Sequence, residues 1–443
     1  MSEQIDLTNY VDSDSETGSE WVEKRLGEIF ESIYSGGTPK KGVDEYYDGN
    51  VPFVKIEDLN KQQGDGVTTA ENYITEQALE ETSTRAFDSG TLLMTIYGSL
   101  AETALVQSRV ATNQGILGLW DAGDDNVLYV RYAIDNSQPK LASLSRQTTQ
   151  ANLGKGIVKK HKIPIPPLRE QRKIATVLYT VDRAIEKTDA ILSQYDRIKK
   201  ALIFDFLSGG FTEEELVGRR LGPKPIQIPE SWNIVELGNI ADVKNGIRIP
   251  PGDDYSDEDT GYRFIRISDL EDGVMVEDEV KNLKEDSFEE MNRGYINSKD
   301  LFLTLNGHSI GGVGIVPPEL DGAHFTDNAA KITNLDGAIP EYLLVYLQSY
   351  YGQGEISRHT VGSGQPKLSL FRAKRVEVLL PPIEQQKRLK DTIETINQEI
   401  QVEKRLESRL KSLKCGLMQD LLSGKVRTTD TNIEVPEEIA QYG

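Results

Sequence analysis

The chain has one cysteine, Cys415, in 443 residues, so it cannot close an internal disulfide. That usage fits a reducing cytoplasm. Four histidines beside that single thiol leave little from which to build a zinc site. No apolar run approaches the ~18 residues of a membrane span, so no membrane partner is expected. Ser2 to Glu20 carries six acidic residues, no basic one and no apolar core, which argues against a secretory signal and reads as a disordered acidic tail. No Gly-x-x-x-x-Gly-Lys-Ser/Thr loop is present, so no P-loop ATPase is indicated. An Asn-Pro-Pro-Tyr element for amino methylation of a base is also missing, and His161, His308, His324 and His359 have no Ser or Cys partner at a recognisable spacing. No catalytic or metal-binding constellation emerges.

What is present is a duplication. Pro166-Pro167-Leu168-Arg169-Glu170-Gln171-Arg172-Lys173-Ile174 returns as Pro381-Pro382-Ile383-Glu384-Gln385-Gln386-Lys387-Arg388-Leu389. The two copies run without a gap to Leu207-Ser208-Gly209 and Leu422-Ser423-Gly424, at a constant offset of 215. Upstream the likeness continues with drift: Trp21 pairs with Trp232, Leu26-Gly27 with Leu237-Gly238, and Phe53 to Leu59 with Phe264 to Leu270, at an offset of 211. A period this long exceeds the roughly 20–50 residues of solenoid repeats and marks a duplicated module. Shifting offsets mean insertions, which gather in surface loops. The front of each copy therefore keeps a scaffold and varies its loops, while the rear holds its length.

The periodicity predicts an α+β fold: two pseudo-repeated α+β modules, with two long helices packed as an antiparallel coiled coil. The expected boundaries are an acidic tail at 1–20, the first module at 21–165, a helix at 166–209 and a connector at 210–230. The second module follows at 231–380, its helix at 381–424, and a polar, frayed tail at 425–443. Short β-type runs are read at Val51 to Ile56, Leu92 to Tyr97, Ile116 to Trp120 and Val127 to Tyr132. From Leu168 to Leu207 apolar residues step by three and four, from Ile174 and Leu178 to Leu202 and Phe206. The second helix repeats this through Ile400, then continues as Leu406, Leu410, Leu413 and Leu417, which implies a register slip at Glu403 and Glu407.

The net charge of −21 opposes nucleic-acid binding, but its distribution does not. Residues 146–173 carry eight Lys/Arg against one acid and residues 358–390 eight against two, at equivalent places in the two copies. The overall acidity also matches a protein dispersed in a salty cytoplasm. Beside the basic stretches lie paired polar loops. Ser35-Gly36-Gly37-Thr38-Pro39-Lys40-Lys41 matches Asn245-Gly246-Ile247-Arg248, and Asn113-Gln114 matches Asp327-Asn328. Thr149-Gln150-Ala151-Asn152 matches Gly364-Gln365-Pro366-Lys367. Asn and Gln suit adenine, Arg suits guanine, and Lys with backbone amides suits phosphate. The candidate DNA contacts are thus Ser35, Gly36, Thr38, Lys40, Lys41, Asn113, Gln114, Gln150, Asn152, Lys155 and Lys159 in the first copy. In the second they are Asn245, Arg248, Asn306, His308, Asn328, Arg358, Gln365, Lys367 and Lys374. Gly307 to Gly314 reads as a hairpin, not a nucleotide loop.

Two variable modules, each followed by a Pro-Pro-Leu/Ile-x-x-Gln helix closing in Leu-Ser-Gly, resemble the specificity (S) subunit of type I restriction–modification systems. Ser35-Gly36-Gly37-Thr38-Pro39 is also typical of that family; Asn245-Gly246-Ile247-Arg248 departs from it. The resemblance implies two target recognition domains, each reading half of an interrupted double-stranded DNA sequence, with the helices as spacer. It implies docking of two methyltransferase (modification) subunits and, through them, restriction/translocase subunits, with Gln171, Arg172, Gln386 and Lys387 as candidate docking residues. It implies no catalysis in this chain, and S-adenosylmethionine, ATP and Mg on the partners. The rival readings are a coiled-coil scaffold that binds protein only, and a self-sufficient nuclease or methyltransferase.

Overall fold

In the computed structural model the described residues are 20–61, 66–145, 152–250, 255–271, 273–276, 280–291, 293–362 and 366–443. The acidic tail, Gln150 and Gln365 lie outside them. The chain divides into two units: one runs to Ala190 and includes Lys404–Gly443, and the other is Ile191–Glu403.

In the first unit Ser32–Ser35, Ile116–Trp120, Leu92–Thr95 and Thr103–Leu105 form an antiparallel sheet in that order. A second sheet orders Tyr73–Ile74, Tyr47–Val54, Val110–Thr112 and Ala86–Phe87, with Tyr47–Val54 parallel to Val110–Thr112. The second unit repeats both. Asp242–Asn245, Ala329–Thr333, Leu301–Thr304 and Val313–Ile315 make its first sheet. Lys281–Leu283, Arg263–Ile265, Ala323–Phe325 and Tyr295–Ile296 make its second, with the parallel pair preserved and Tyr255–Ser256 added at the edge. The offset drift therefore lies between strands and leaves their order alone.

One expected strand is a helix. Val127–Asn136 is helical, buried from Val127 through Ile134, and Asn126 caps it by accepting from the Tyr129 N–H at 3.0 Å. A continuously apolar run has no periodicity to separate strand from helix, and here the N-cap decides.

The long helices span Leu168–Leu207 and Ile383–Leu421. Within the first unit Ile174, Ala175 and Leu178 share a core with Leu421 and Leu422, and Asp182 Oδ1 meets Lys414 Nζ at 2.6 Å. Within the second, Phe206 and Leu207 share a core with Leu389 and Ile393, and Lys199 Nζ donates to Asn397 Oδ1 at 2.8 Å. In each unit the start of one helix meets the end of the other, so the pair is antiparallel.

The expected register slip is absent. Glu403, Glu407 and Lys414 stay half-buried on the inward face, while Leu406 and Leu413 are 44% and 51% exposed. The seam continues as a polar one: Glu407 pairs with Lys411, and Asp189 faces Glu407 across it. Burial and the Glu407 carboxylate push the Asp189 pKa up.

The connector and the final segment are both ordered. The connector folds into a hairpin, Leu216–Leu221 with Lys224–Pro229, whose Leu221 and Ile228 enter the second unit's core. The final segment is not frayed. Ile439 is fully buried, Tyr442 O accepts from the Val127 N–H at 2.8 Å, and Lys173 Nζ donates to the carbonyls of Thr428, Thr429 and Thr431. Its polar composition concealed this because its contacts are largely through backbone carbonyls.

Candidate nucleic-acid interface

The polar loops named from sequence are brought together in each unit by the first sheet. In the first unit the chain leaves Ser32–Ser35 and lies against the Thr112–Asn113 backbone, with Gly36 N–H donating to Ile116 O (3.0 Å) and Gly37 N–H to Thr112 O (2.9 Å). A Cβ at Gly36 would stand 2.4 Å from the carbonyl oxygens of both Thr112 and Asn113. Only glycine allows that approach. It lets Thr38 Oγ1 donate to Gln114 Oε1 at 2.6 Å, while Asn113 Oδ1 accepts from the Gly115 N–H at 2.9 Å and shapes the turn. Ile96 N–H donates to Gly115 O and Leu153 N–H to Ile96 O, which adds the Ile96–Gly98 turn and Asn152 to the same end of the sheet.

The second unit builds the same junction from other side chains. Gly246 lies against Phe325 and Thr326, where a Cβ would fall 2.2 and 2.3 Å from their carbonyl oxygens. Arg248, its side chain 80% exposed, pairs with Asp327 at 3.1 Å. Asn306 Nδ2 donates to Asn328 Oδ1 at 3.3 Å, and Asn306 also bridges Lys367. Leu368 N–H donates to Leu305 O as Leu153 does to Ile96. Asn245, Arg248, Asn328, Lys367 and His308 are exposed.

The basic residues further along also correspond. Lys159 packs its backbone oxygen 3.1 Å from a Cβ position on Gly27, and Lys374 does the same on Gly238 at 3.1 Å. Their ammonium groups lie on short exposed segments beside the first sheet. Lys155 Nζ stands 5.2 Å above the ring of Tyr34, and Arg85 lies 4.4 Å from the same ring. Tyr34 and Arg85 were not singled out from sequence: Tyr34 reads as an ordinary strand residue. Lys40 and Lys41 are exposed on the loop whose Pro39 carbonyl accepts from Tyr47 Oη.

Arg358 is a correction. Its guanidinium is bonded to Glu355 and lies 3.6 Å from Glu377, and the Glu355 carboxylate raises its pKa. A cation neutralised by two carboxylates is a poor phosphate ligand.

The docking candidates change more. Gln171 is 1% exposed: its Oε1 accepts from the Asn126 N–H (2.8 Å) and its Nε2 donates to Asp125 Oδ1 and Pro166 O (2.9 Å each). Gln386 is fully buried and binds the Ile339 N–H (3.0 Å), Gly337 O (2.9 Å) and Pro381 O (2.8 Å). These glutamines hold each helix start to its own module, so neither presents a docking surface. Arg172 Nε donates to Gly443 O at 2.6 Å, and Lys387 is exposed beside Glu384.

One residue earlier the copies diverge. Trp21 Nε1 donates to Glu170 Oε2 at 3.1 Å, and Trp232 Nε1 donates to Gln385 Oε1 at 2.7 Å. Glu170 is 2% exposed, and burial alone would raise its pKa. Arg427, the Thr428 N–H and the Trp21 indole together hold it below the usual carboxylate range. Among the described residues no group of His, Cys, Asp and Glu could hold a metal ion, and no helix is long and apolar enough to cross a membrane.

The family model described as the type I restriction modification DNA specificity domain matches the chain twice, over residues 18–194 and 229–412. The type I restriction enzyme MjaVIII specificity subunit of Methanocaldococcus jannaschii is 25% identical over 422 residues, covering 93% of this chain and 94% of that protein. The EcoKI specificity subunit of Escherichia coli strain K12 is 26% identical over 266 residues, 58% of this chain and 55% of that one. Among solved structures, the type I restriction–modification S subunit from M. genitalium shares the fold with a TM-score of 0.55 at 14% identity, over 95% of this chain and 99% of that chain.

Proposed function

Since this chain belongs to the type I restriction modification DNA specificity family, we infer that it is the subunit that gives a type I restriction–modification complex its DNA sequence. It reads a bipartite target, one recognition module per half-site, and it is not itself an enzyme. The observation that carries this reading is the repeated junction: two sheets of the same strand order gather different polar side chains at the same loops. A constant scaffold with exchanged loop chemistry is what two independent readers of different half-sites require. A scaffold that binds protein only has no use for that pairing.

At the residue level, Thr38, Asn113, Gln114 and Asn152 are the base-reading candidates of the first module, with Ser35, Lys40, Lys41, Lys155 and Lys159 toward phosphate; Gly36, buried and with its N–H on Ile116 O, is scaffold. In the second, Asn245, Arg248, Asn306, His308 and Asn328 face bases, and Lys367 and Lys374 face phosphate. Gln150 and Gln365 keep the roles that their place in the repeat suggests. The partners are double-stranded DNA, two modification subunits and, through these, restriction/translocase subunits, which carry S-adenosylmethionine, ATP and Mg. The long helices set the distance between half-sites. The test is co-purification with modification subunits, then methylome sequencing with and without the gene. A bipartite methylated motif that vanishes on deletion supports the reading; an unchanged methylome overturns it.

A further inference from the structure

The second module carries an aromatic side chain that its fold does not use. Phe371 is 70% exposed, on the four-residue helix Leu370–Ala373, and its only ring contact among the described residues is Arg375, whose Cζ stands 5.7 Å from the ring centroid. Leu370 and Ala373, its neighbours on that helix, pack into the core, so the helix is anchored while the phenyl points away. From Pro366 to Val376 the chain has Lys367, Arg372, Lys374 and Arg375 and no acid, in a protein of net charge −21. The helix starts directly after Lys367 and Leu368, which bridge to Asn306 and Leu305, and Lys374 ends it against Gly238. The exposed ring therefore sits between the loop junction and the basic end of the same short segment.

The first module lacks this feature at the matching place. Gly156 stands where the offset of 215 puts Phe371, and a Cβ there meets nothing within 4 Å. Its exposed aromatics, Tyr34, Tyr97 and Trp120, are each about 40% exposed against 70% for Phe371, and Tyr34 is flanked by Arg85 and Lys155. A ring held between cations is already occupied, whereas Phe371 has an open face.

We propose that Phe371 is a DNA-deforming wedge of the second module, its phenyl pressed against or between base pairs while Arg372 and Lys374 hold the flanking phosphates; Arg375 is turned toward Glu236, 3.8 Å away. An exposed phenyl on a basic segment fits a polyanion that offers an apolar stacked interior, and apolar wedges of this kind unstack and kink a duplex. The first module, with Gly156, reads its half-site without such a wedge. Half-site discrimination in the second module then includes how easily a base step opens, not hydrogen bonding alone.

This rests on the specificity reading above, and the experiment separates the two. The full chain is assembled with its modification subunits and bound to a duplex bearing the motif found by methylome sequencing. The duplex is end-labelled for energy transfer, with 2-aminopurine placed in each half in turn, away from the base that the modification subunits extrude and methylate. With wild type, 2-aminopurine fluorescence rises in one half only. Phe371→Ala abolishes that rise, lessens the bend and weakens binding about tenfold; Phe371→Leu, which keeps an apolar wedge, retains all three. Unchanged binding and bending by Phe371→Ala would overturn the proposal, as would failure of that variant to assemble, which would assign the ring to a protein interface. A wild-type complex that binds no bipartite duplex would instead sink the specificity reading itself.

Discussion

The two modules share a strand order and differ in what they place on it. In the first, Gly36 lies flat on the Thr112–Asn113 backbone, Gly37 lies against Ser83–Thr84, and a neutral Thr38–Gln114 hydrogen bond tops the junction. In the second, Gly246 keeps the close approach and a charged Arg248–Asp327 pair takes the top. The glycine is therefore scaffold and the neighbouring side chain is cargo. The helix starts teach the same lesson. Gln171 and Gln386 make corresponding buried bonds, while Glu170 and Gln385 carry different partners under the same indole contact.

The sharpest way to break that comparison is at Glu170 and Gln385. Glu170→Ala leaves the buried Thr428 N–H without its acceptor and removes the bonds to Trp21 and the partly exposed Arg427, and should cost about 2 kcal/mol. Gln385→Ala removes the Trp232 indole contact and an exposed bond to the Glu214 carboxylate, and should cost about 1 kcal/mol. Denaturant midpoints with unchanged slopes would measure both; equal losses would mean that the Arg427 contact contributes nothing. Next in size, Arg248→Ala should alter preference at one half-site by about 1–3 kcal/mol, leaving the other half intact. Methylation of single-base variants of the motif reads this directly.

The units also differ in pH response. His324 is fully buried between Phe288 and Tyr295, and burial lowers its pKa, as it does for His359 in the same unit and for His161 in the other. The folded state thus keeps these rings neutral while the unfolded chain takes up protons as pH falls through about 6.5. Stability falls in that window and levels off below the lower, folded pKa. His324→Phe should flatten the fall by about 1 kcal/mol between pH 7.5 and 5.5; thermal midpoints at the two pH values test it. The smallest effect belongs to Lys159→Ala, a few-fold loss of affinity, uniform across sequences, with a shallower salt dependence. A change in sequence preference there would contradict the division between phosphate and base contacts.

Much of this was legible beforehand where the physics is local. The constant offset and the three-and-four stepping located both long helices, and the first runs over Leu168–Leu207 as expected. The paired loops were found because polar turns recurred at drifting offsets. What failed depended on partners far along the chain. Gln171 and Gln386 repeat as a surface motif would, yet repetition reports constraint, not exposure. Leu406 and Leu413 follow the apolar pattern but lie outside: Asp182 draws Lys414 inward at 2.6 Å, and Glu407, paired with Lys411, keeps to the same face opposite Asp189. Val127 to Tyr132 reads as a strand, and is the front of a helix over Val127–Asn136, because a buried helix and a buried strand share an unbroken apolar run. Arg358 reads as a free cation only if Glu355, three residues back on its own helix, is passed over; Glu377, nineteen residues on, is the partner that the sequence hides.

The central claim is that each module reads its own half-site. Methylome sequencing of a strain carrying the full chain with Arg248→Ala and Asn328→Ala tests it most directly. The account predicts a motif altered or relaxed in one half, with the other half and the gap between them unchanged. A motif changed in both halves, or an unaltered one, would contradict it.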